Sequence, residues 1–348
     1  MERPKRIVHA TAPIRICDLG GWTDTWFAGR GAVLNMGVNP HAEVEIAVTG
    51  TPPGKERTIV IHAANFGDRY VIEGWPKEYD KHPLLEACID IMELPGDLSF
   101  EVNLFSHAPA GCSTGTSASV SVALLAALDM LTPGRLTPYE IARLAHRVET
   151  EKLGLQCGIQ DQLSAAYGGV CFIEMFHYPH ASVSQLLLPE ATWWELDRRM
   201  VLVYLGKSHT SSNVHGRVIE RLEGEDADKS DLDVLRQAAF AGKNAIAQGD
   251  LNALGEAMIA NTEGQRRLHS SLVSDSAQQI IDLAKHHGCC GWKVNGAGGE
   301  GGSLSLLCGP KNQSKRDFIA DLPGLDPAFR YIPTHLSPVG IRRWEVPA

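Results

Sequence analysis

No stretch of the 348 residues reaches the roughly eighteen consecutive apolar side chains of a membrane-spanning helix. The opening Met1-Glu2-Arg3-Pro4-Lys5-Arg6 leads into an alternating strand instead of the apolar core of a signal peptide, so a cytoplasmic location is expected. There is no repeated CxxC. The eight cysteines, at 17, 88, 112, 157, 171, 289, 290 and 308, are scattered, which argues against a zinc knuckle or a disulfide framework and for reduced, mostly buried thiols. There is no run of like charge and no basic excess. A formal net charge of -9 argues against nucleic acid and acidic membrane as partners, since both require a basic face. What remains is an ordinary soluble composition, 44% hydrophobic and 21% charged, in a chain long enough for two domains. A small-molecule substrate fits it best, and no motif bears on oligomeric state.

The most informative stretch present is Ala108-Pro-Ala-Gly-Cys-Ser-Thr-Gly-Thr-Ser-Ala-Ser119. It follows a strand expected over 98–104 and runs into VSVALLAALDM, which has no internal Gly or Pro and reads as a helix over 117–131. Gly115 lets the backbone approach a ligand closely, and Thr116, Ser117 and Ser119 add short hydroxyls. Free N–H groups and the positive dipole end of that helix would face the loop, an arrangement that holds phosphate oxygens. The competing reading is a hydroxyl-rich helix cap and nothing more.

Other residues stand out in chain order. Arg15 lies inside the strand expected over 7–17, where a buried cation requires an anionic partner unless it is an edge salt bridge. Asp24 sits in the turn Gly20-Gly-Trp-Thr-Asp24, as a hydrogen-bond acceptor for sugar hydroxyls or as a plain Asx turn. Further strands are expected over 31–38 and 41–49, two more within 58–73, and a short helix over 83–92. Thr137 and Pro138 open a helix expected to reach about Leu153, whose last turns carry Glu149 and Glu151. Glu149 is either a solvated glutamate or a hard-oxygen ligand for magnesium near nucleotide phosphates. Asp161, between Gln160 and Gln162 in a small-residue apolar setting, could orient or deprotonate a hydroxyl, with an arginine keeping it ionised. The pattern loosens over 186–199, and the domain boundary is placed there, giving 1–188 and 189–348.

In the second half, a strand over 200–205 precedes Gly206-Lys207-Ser208, which imitates the end of a P-loop but has Val201 where the motif needs glycine. Lys207, His209 and Arg217 are candidates for a substrate-facing basic loop. Helices are expected over 213–223, 231–248, 251–269 and 275–287. Gly296-Ala-Gly298-Gly-Glu-Gly301 is a literal GxGxxG, but it leads into SLSLLC, which reads as a strand and not a helix, so a dinucleotide fold is disfavoured. So dense a glycine run still implies close approach of backbone, to a ligand or to another loop.

Taken in order, Arg15 with Gly-Gly-Trp-Thr-Asp, the loop Pro-x-Gly-x-Ser-Thr-Gly-Thr-Ser-Ala, and Lys-Val-Asn-Gly-Ala-Gly-Gly resemble the three motifs of the GHMP kinase superfamily. The resemblance spans the whole chain and is strongest to the sugar anomeric kinases, namely the heptose 7-phosphate kinases with fucokinase and galactokinase relatives. It implies an α+β protein of two domains, the first like domain 2 of ribosomal protein S5 and the second ferredoxin-like. It further implies ATP bound by Pro109, Gly111, Cys112, Ser113, Thr114, Gly115, Thr116, Ser117 and Ala118, and Mg²⁺ held by Ser117 and Glu149. Asp161 falls on the catalytic aspartate and Arg15 on its arginine partner, with Gly21, Trp22, Asp24, Gly296, Ala297, Gly298 and Gly299 on the substrate side. The implied reaction is γ-phosphoryl transfer from MgATP to a sugar, expected at the anomeric hydroxyl of a heptose 7-phosphate, with free L-fucose, L-arabinose or galactose as the alternative.

The departures bear on the substrate. Gly21-Trp22 stands where galactokinases carry Glu-His, Ser113-Thr114 where the family usually has Gly-Leu, and Glu300 where a glycine is usual, so Glu300 is expected to face solvent or Lys293. Two other classes remain open, a non-catalytic nucleotide or sugar sensor and a dinucleotide oxidoreductase.

Overall fold

A long antiparallel pair, β1 (Arg6–Leu19) and β2 (Gly31–Gly50), is the spine of the chain in the computed structural model, which describes residues 6–207, 212–224 and 228–348. The outer half of β1 alternates between buried and half-buried side chains, whereas its inner half is buried on both faces. That change marks where β1 leaves a one-sided sheet and enters the space between two layers. To this pair the chain adds β3 (Thr58–Ala63) and β4 (Asp68–Glu73), α1 (Pro83–Asp90), β5 (Leu98–Ser106), α2 (Thr116–Asp129) and α3 (Pro138–Arg147). Then come α4 (Gln160–Tyr167) and the hairpin of β6 (Val170–His177) and β7 (His180–Gln185). Helix α2 is apolar nearly all round and is buried accordingly, against β1, β2, α3 and α4.

The remaining elements are α5 (Glu190–Arg199), β8 (Met200–Tyr204), α6 (Ser212–Glu223), α7 (Ser230–Gln248), α8 (Leu251–Leu268) and α9 (Asp275–His286). After them come β9 (Gly291–Val294), β10 (Ser303–Leu307), α10 (Asn312–Leu325), β11 (Arg330–Ile332), β12 (His335–Leu336) and β13 (Arg342–Pro347). Strands β11-β8-β10-β9 make a four-stranded antiparallel sheet in the split order of a ferredoxin-like unit. The fold is therefore α+β with two sheets. The segment from 189 onward also returns to the first, nine-stranded sheet, where β12 pairs β2 and β13 pairs β1.

The two halves share a core. Ile14, Ile16 and Leu34 of the first sheet pack with Leu202 of the second and Leu254 of α8. The approach is close enough that a Cβ on Gly242 would sit 2.5 Å from Leu19 Cδ1. Such a seam leaves little freedom for the inner ends of β1 and β2, which is what a site built on them requires.

Several elements differ from expectation. The helix begun at Thr137 has the expected cap, with Glu140 completing a reciprocal capping box, but α3 stops at Arg147 and passes into a π-helical turn, Val148–Lys152. The loosened stretch over 186–199 contains α5, whose only buried side chains are Leu196 and Arg199. A helix so thinly anchored carries almost no apolar periodicity to read.

Candidate active site

The inner end of β1 carries Arg15, buried at 4% exposure. Its Nε donates to Asp161 Oδ1 at 2.8 Å and Nη2 to Asp161 Oδ2 at 3.2 Å, a bidentate pair between β1 and the first turn of α4. Nη1 donates to the Ser113 carbonyl at 2.5 Å, and the backbone N–H of Arg15 to the Thr114 carbonyl at 2.9 Å. One arginine thus fastens the glycine-rich loop and orients the carboxylate. Asp161 keeps 29% of its side chain exposed, so its oxygens are presented, not sealed.

The loop makes α2's N-terminus available. Gly115 has φ +69°, no side chain caps the helix, and Ser117 is exposed at its first turn. The hydroxyls are therefore not used up in capping, which removes the plainer reading of this loop. Ser119 is the exception, its Oγ donating to the Ala12 carbonyl at 2.7 Å as a structural tie. A Cβ at Gly115 would come within 3.2 Å of Asp161 Cγ, so the loop and the carboxylate nearly touch.

Glu149 lies on the π turn, buried, and accepts from Gln162 Nε2 at 2.7 Å. Burial, with help from nearby Asp161 and against the Gln162 bond, pushes its carboxyl up to about 7. A π turn is a common device for re-aiming one side chain out of a helix. Asp24 is buried as well and accepts from the Gln160 N–H at 2.9 Å; burial chiefly pushes it up to about 6. Gly158 is required beside it, since a Cβ there would meet Asp24 Oδ2 at 2.0 Å.

These groups converge on a cavity of about 590 Å³ whose lining includes Arg15, Trp22, Asp24, Ser117, Glu149 and Asp161. Ser117 and Leu84 also border a second, apolar cavity of about 340 Å³, walled by Phe66, Leu85, Leu104 and Val120 and touched by Gly111 and Thr116. The late glycine loop divides its residues. Gly296 and Ala297 line the first cavity, whereas Gly298 and Gly299 are turned onto Leu272: a Cβ on Gly298 would lie 2.1 Å from the Leu272 carbonyl, and the Gly299 N–H donates to it at 3.2 Å. Gly21 is pressed on Asp18, 2.8 Å from where its Cβ would be. Cys112 and Thr114 are buried, and their carbonyls serve Ser303 Oγ at 2.6 Å and Arg15. Pro109 precedes this fastened segment and is half-buried.

Lys207 and Arg217 stand on the surface, although Gly216 and Ile219 of α6 line the cavity; His209 lies outside the described residues. Glu300 faces solvent, and Lys293 turns inward to Asp18 instead. Strand β10 comes directly after the GxGxxG stretch, so that loop lacks the helix of a dinucleotide-binding turn. The sequence left two partners unassigned: Gly158, and the buried pair of Asp18 and Lys293. The one available signal for the pair was a carboxylate ending an otherwise apolar strand. Among the described residues, no helix is long and apolar enough to cross a membrane, and no group of three or more His, Cys, Asp or Glu could hold a metal ion alone.

Residues 83–169, from α1 through the end of α4, match the family model for the N terminal domain of GHMP kinases. That match covers the stretch holding the glycine-rich loop, Glu149 and Asp161. The chain is 28% identical over 207 residues to a D-glycero-alpha-D-manno-heptose 7-phosphate kinase of Campylobacter jejuni, covering 59% of this chain and 60% of that one. It is 26% identical over 319 residues to a bifunctional fucokinase/GDP-fucose pyrophosphorylase of Arabidopsis thaliana, covering 87% of this chain and 30% of that one. The chain thus spans less than two thirds of the length of either relative. The crystal structure of a D-glycero-D-manno-heptose 1-phosphate kinase from Bacteriodes thetaiotaomicron superposes with a TM-score of 0.76 at 24% identity, over 98% of this chain and 100% of that one. The two-sheet architecture is thus the two-domain GHMP kinase fold.

Proposed function

We propose that this protein transfers the γ-phosphoryl group of MgATP to a sugar hydroxyl. The observation that carries the reading is the bidentate Arg15–Asp161 pair set against the uncapped N-terminus of α2, inside the cavity that also holds Glu149 and Ser117. Phosphoryl transfer asks a protein mainly for alignment and for fixed positive charge near the moving group. The α2 N–H groups and Arg15 supply the charge, Asp161 aligns the acceptor hydroxyl and takes its proton, and the second, apolar cavity accepts the adenine base. Ser117 and Glu149 suit Mg²⁺, a hard cation that takes one or two protein oxygens and completes its shell with phosphates and water, in a cavity that offers no all-protein cage among the described residues. Bound there, the ion would neutralise phosphate charge. At the acceptor end, Asp24, Gln160 and Trp22 present hydrogen-bond partners and an apolar plane to a sugar ring.

The named acceptor is the anomeric hydroxyl of a heptose 7-phosphate, supported by the Campylobacter relative and by the surround of Asp161. A second reading, a free sugar such as L-fucose, L-arabinose or galactose, is favoured by the surface positions of Lys207 and Arg217, the residues expected to clamp a sugar phosphate. An ATP-consumption assay with heptose 7-phosphate and the three free sugars tests both. Turnover with none of them, in the presence of Mg²⁺, would overturn the kinase reading and leave a nucleotide or sugar sensor.

A further inference from the structure

Asp18 and Lys293 are both fully buried, Asp18 at the wall of the first cavity and Lys293 bonded to it. A register shift in β1 between Ile16 and Leu19, with Cys17 at φ +54°, turns Asp18 inward toward the second sheet. There Asp18 Oδ1 accepts from Lys293 Nζ at 3.2 Å, both of its oxygens accept from the Gly296 N–H at 3.1 Å, and Arg15 Nη1 lies 3.9 Å away. Burial disfavours the charge on Asp18, but Lys293 and then Arg15 more than offset it, and the carboxyl is held below its usual range. Lys293 also donates to the Val294 carbonyl.

Two cations and two carboxylates therefore alternate through the seam between the sheets: Lys293, Asp18, Arg15, Asp161. Arg15 has two carboxylates within reach and can align fully with only one. It aligns with Asp161, at 2.8 and 3.2 Å, while Asp18 is already met by Lys293. We propose that Asp18 and Lys293 are positioning residues: the Asp18 carboxylate registers the Gly296 amide of the late loop against Arg15, and Lys293 keeps that carboxylate from drawing Arg15 away from Asp161. The inference rests on the kinase reading for the meaning of the Arg15–Asp161 pair. It assigns Lys293, named from the sequence only as an alternative to solvent for Glu300, a different partner and a task of its own.

Three variants test it, each assayed per folded molecule with Tm recorded. Lys293→Met leaves Asp18 with Arg15 as its only cation. Asp18→Leu/Lys293→Met removes the tether without orphaning a buried charge, so it folds even where the single variant does not. In either, kcat is expected to fall about 10- to 100-fold with the KM for ATP within about threefold of wild type, because the reacting groups are displaced while the nucleotide contacts remain. Asp18→Asn/Lys293→Met keeps an oxygen for the Gly296 N–H and carries no charge to attract Arg15, so its kcat should return to within about threefold of wild type. A purely structural pair predicts the reverse, with Tm moving and kcat per folded molecule constant. Wild-type kcat in folded Lys293→Met or Asp18→Leu/Lys293→Met, or no recovery in the Asn variant, would overturn the proposal. A wild-type protein that turns over none of the four sugars would instead overturn the kinase reading, and this inference with it.

Discussion

The two glycine-rich loops at the site look alike as sequence and do different things. In the central loop, 108–118, positive φ angles at Gly111, Ser113 and Gly115 bring the chain to an uncapped helix, and Thr116 and Ser117 at its start line the cavities. In the late loop, 296–302, the glycines mostly make room for protein. Gly296 and Gly302 clear Ser113, whose Oγ would lie 2.5 Å from a Cβ on Gly302, and Gly298 clears the Leu272 carbonyl. One loop borders the two cavities and the other is shaped chiefly around its neighbour. Glycine density signals close approach in both cases, but what is approached depends on the element that comes next, a helix after the first loop and a strand after the second.

The sharpest test of the comparison lies at Asp161, the central loop's proposed catalytic partner. Asp161→Asn keeps shape and loses the proton acceptor, so kcat should fall by about 10²–10⁴, roughly 3–5 kcal/mol, with ATP affinity within about threefold of wild type. More than about a tenth of wild-type kcat, with chemistry limiting, would place the base elsewhere. Gly298→Ala probes the late loop: with φ +68° and a backbone oxygen 2.1 Å from the new Cβ, it should cost about 2–4 kcal/mol of stability, read as a fall in Tm. If Tm held and only KM for the sugar rose, the late loop would be a ligand loop after all.

A smaller effect is expected at Glu149. Its folded pKa, about 7, exceeds the ordinary value of 4.5, so the folded state holds the proton more tightly than the unfolded chain does. The charge therefore costs stability above about pH 7, less as the pH drops, and nothing below about 4.5. Metal-free Glu149→Gln should accordingly exceed wild type by about 1–3 kcal/mol near pH 8, with the gap closing on acidification in denaturant titrations. The same variant should need more Mg²⁺ for turnover. Ser117→Ala should show the mildest change, about a tenfold rise in the Mg²⁺ required with sugar KM unaltered, and an unchanged Mg²⁺ requirement in both variants would remove these residues from the metal site.

Legibility tracked the range of the interactions. The loop-to-helix step at 115–116, the cap at Thr137 and strands such as β1, β3, β4, β5, β8 and β10 were readable because turn chemistry and periodicity are local. Helix α5 was not, having only two buried side chains, and neither were β12 and β13, whose strand character comes from pairing with β2 and β1 far back in the chain.

The sequence by itself determined the chemical inventory: an arginine in an apolar strand, a carboxylate between two amides, a hydroxyl-rich loop opening a helix, and a charge balance unsuited to nucleic acid. The resemblance implied that Arg15 pairs with Asp161, but only the tertiary structure showed that pairing and decided the rest. Arg15 meets Asp161 across 146 residues and Lys293 meets Asp18 across 275, and no local rule could have chosen those partners over Glu300 or over solvent. Burial made the choice, because a charge taken out of water must find its opposite within a few ångströms, and only the packed seam between the two sheets fixes which one is there.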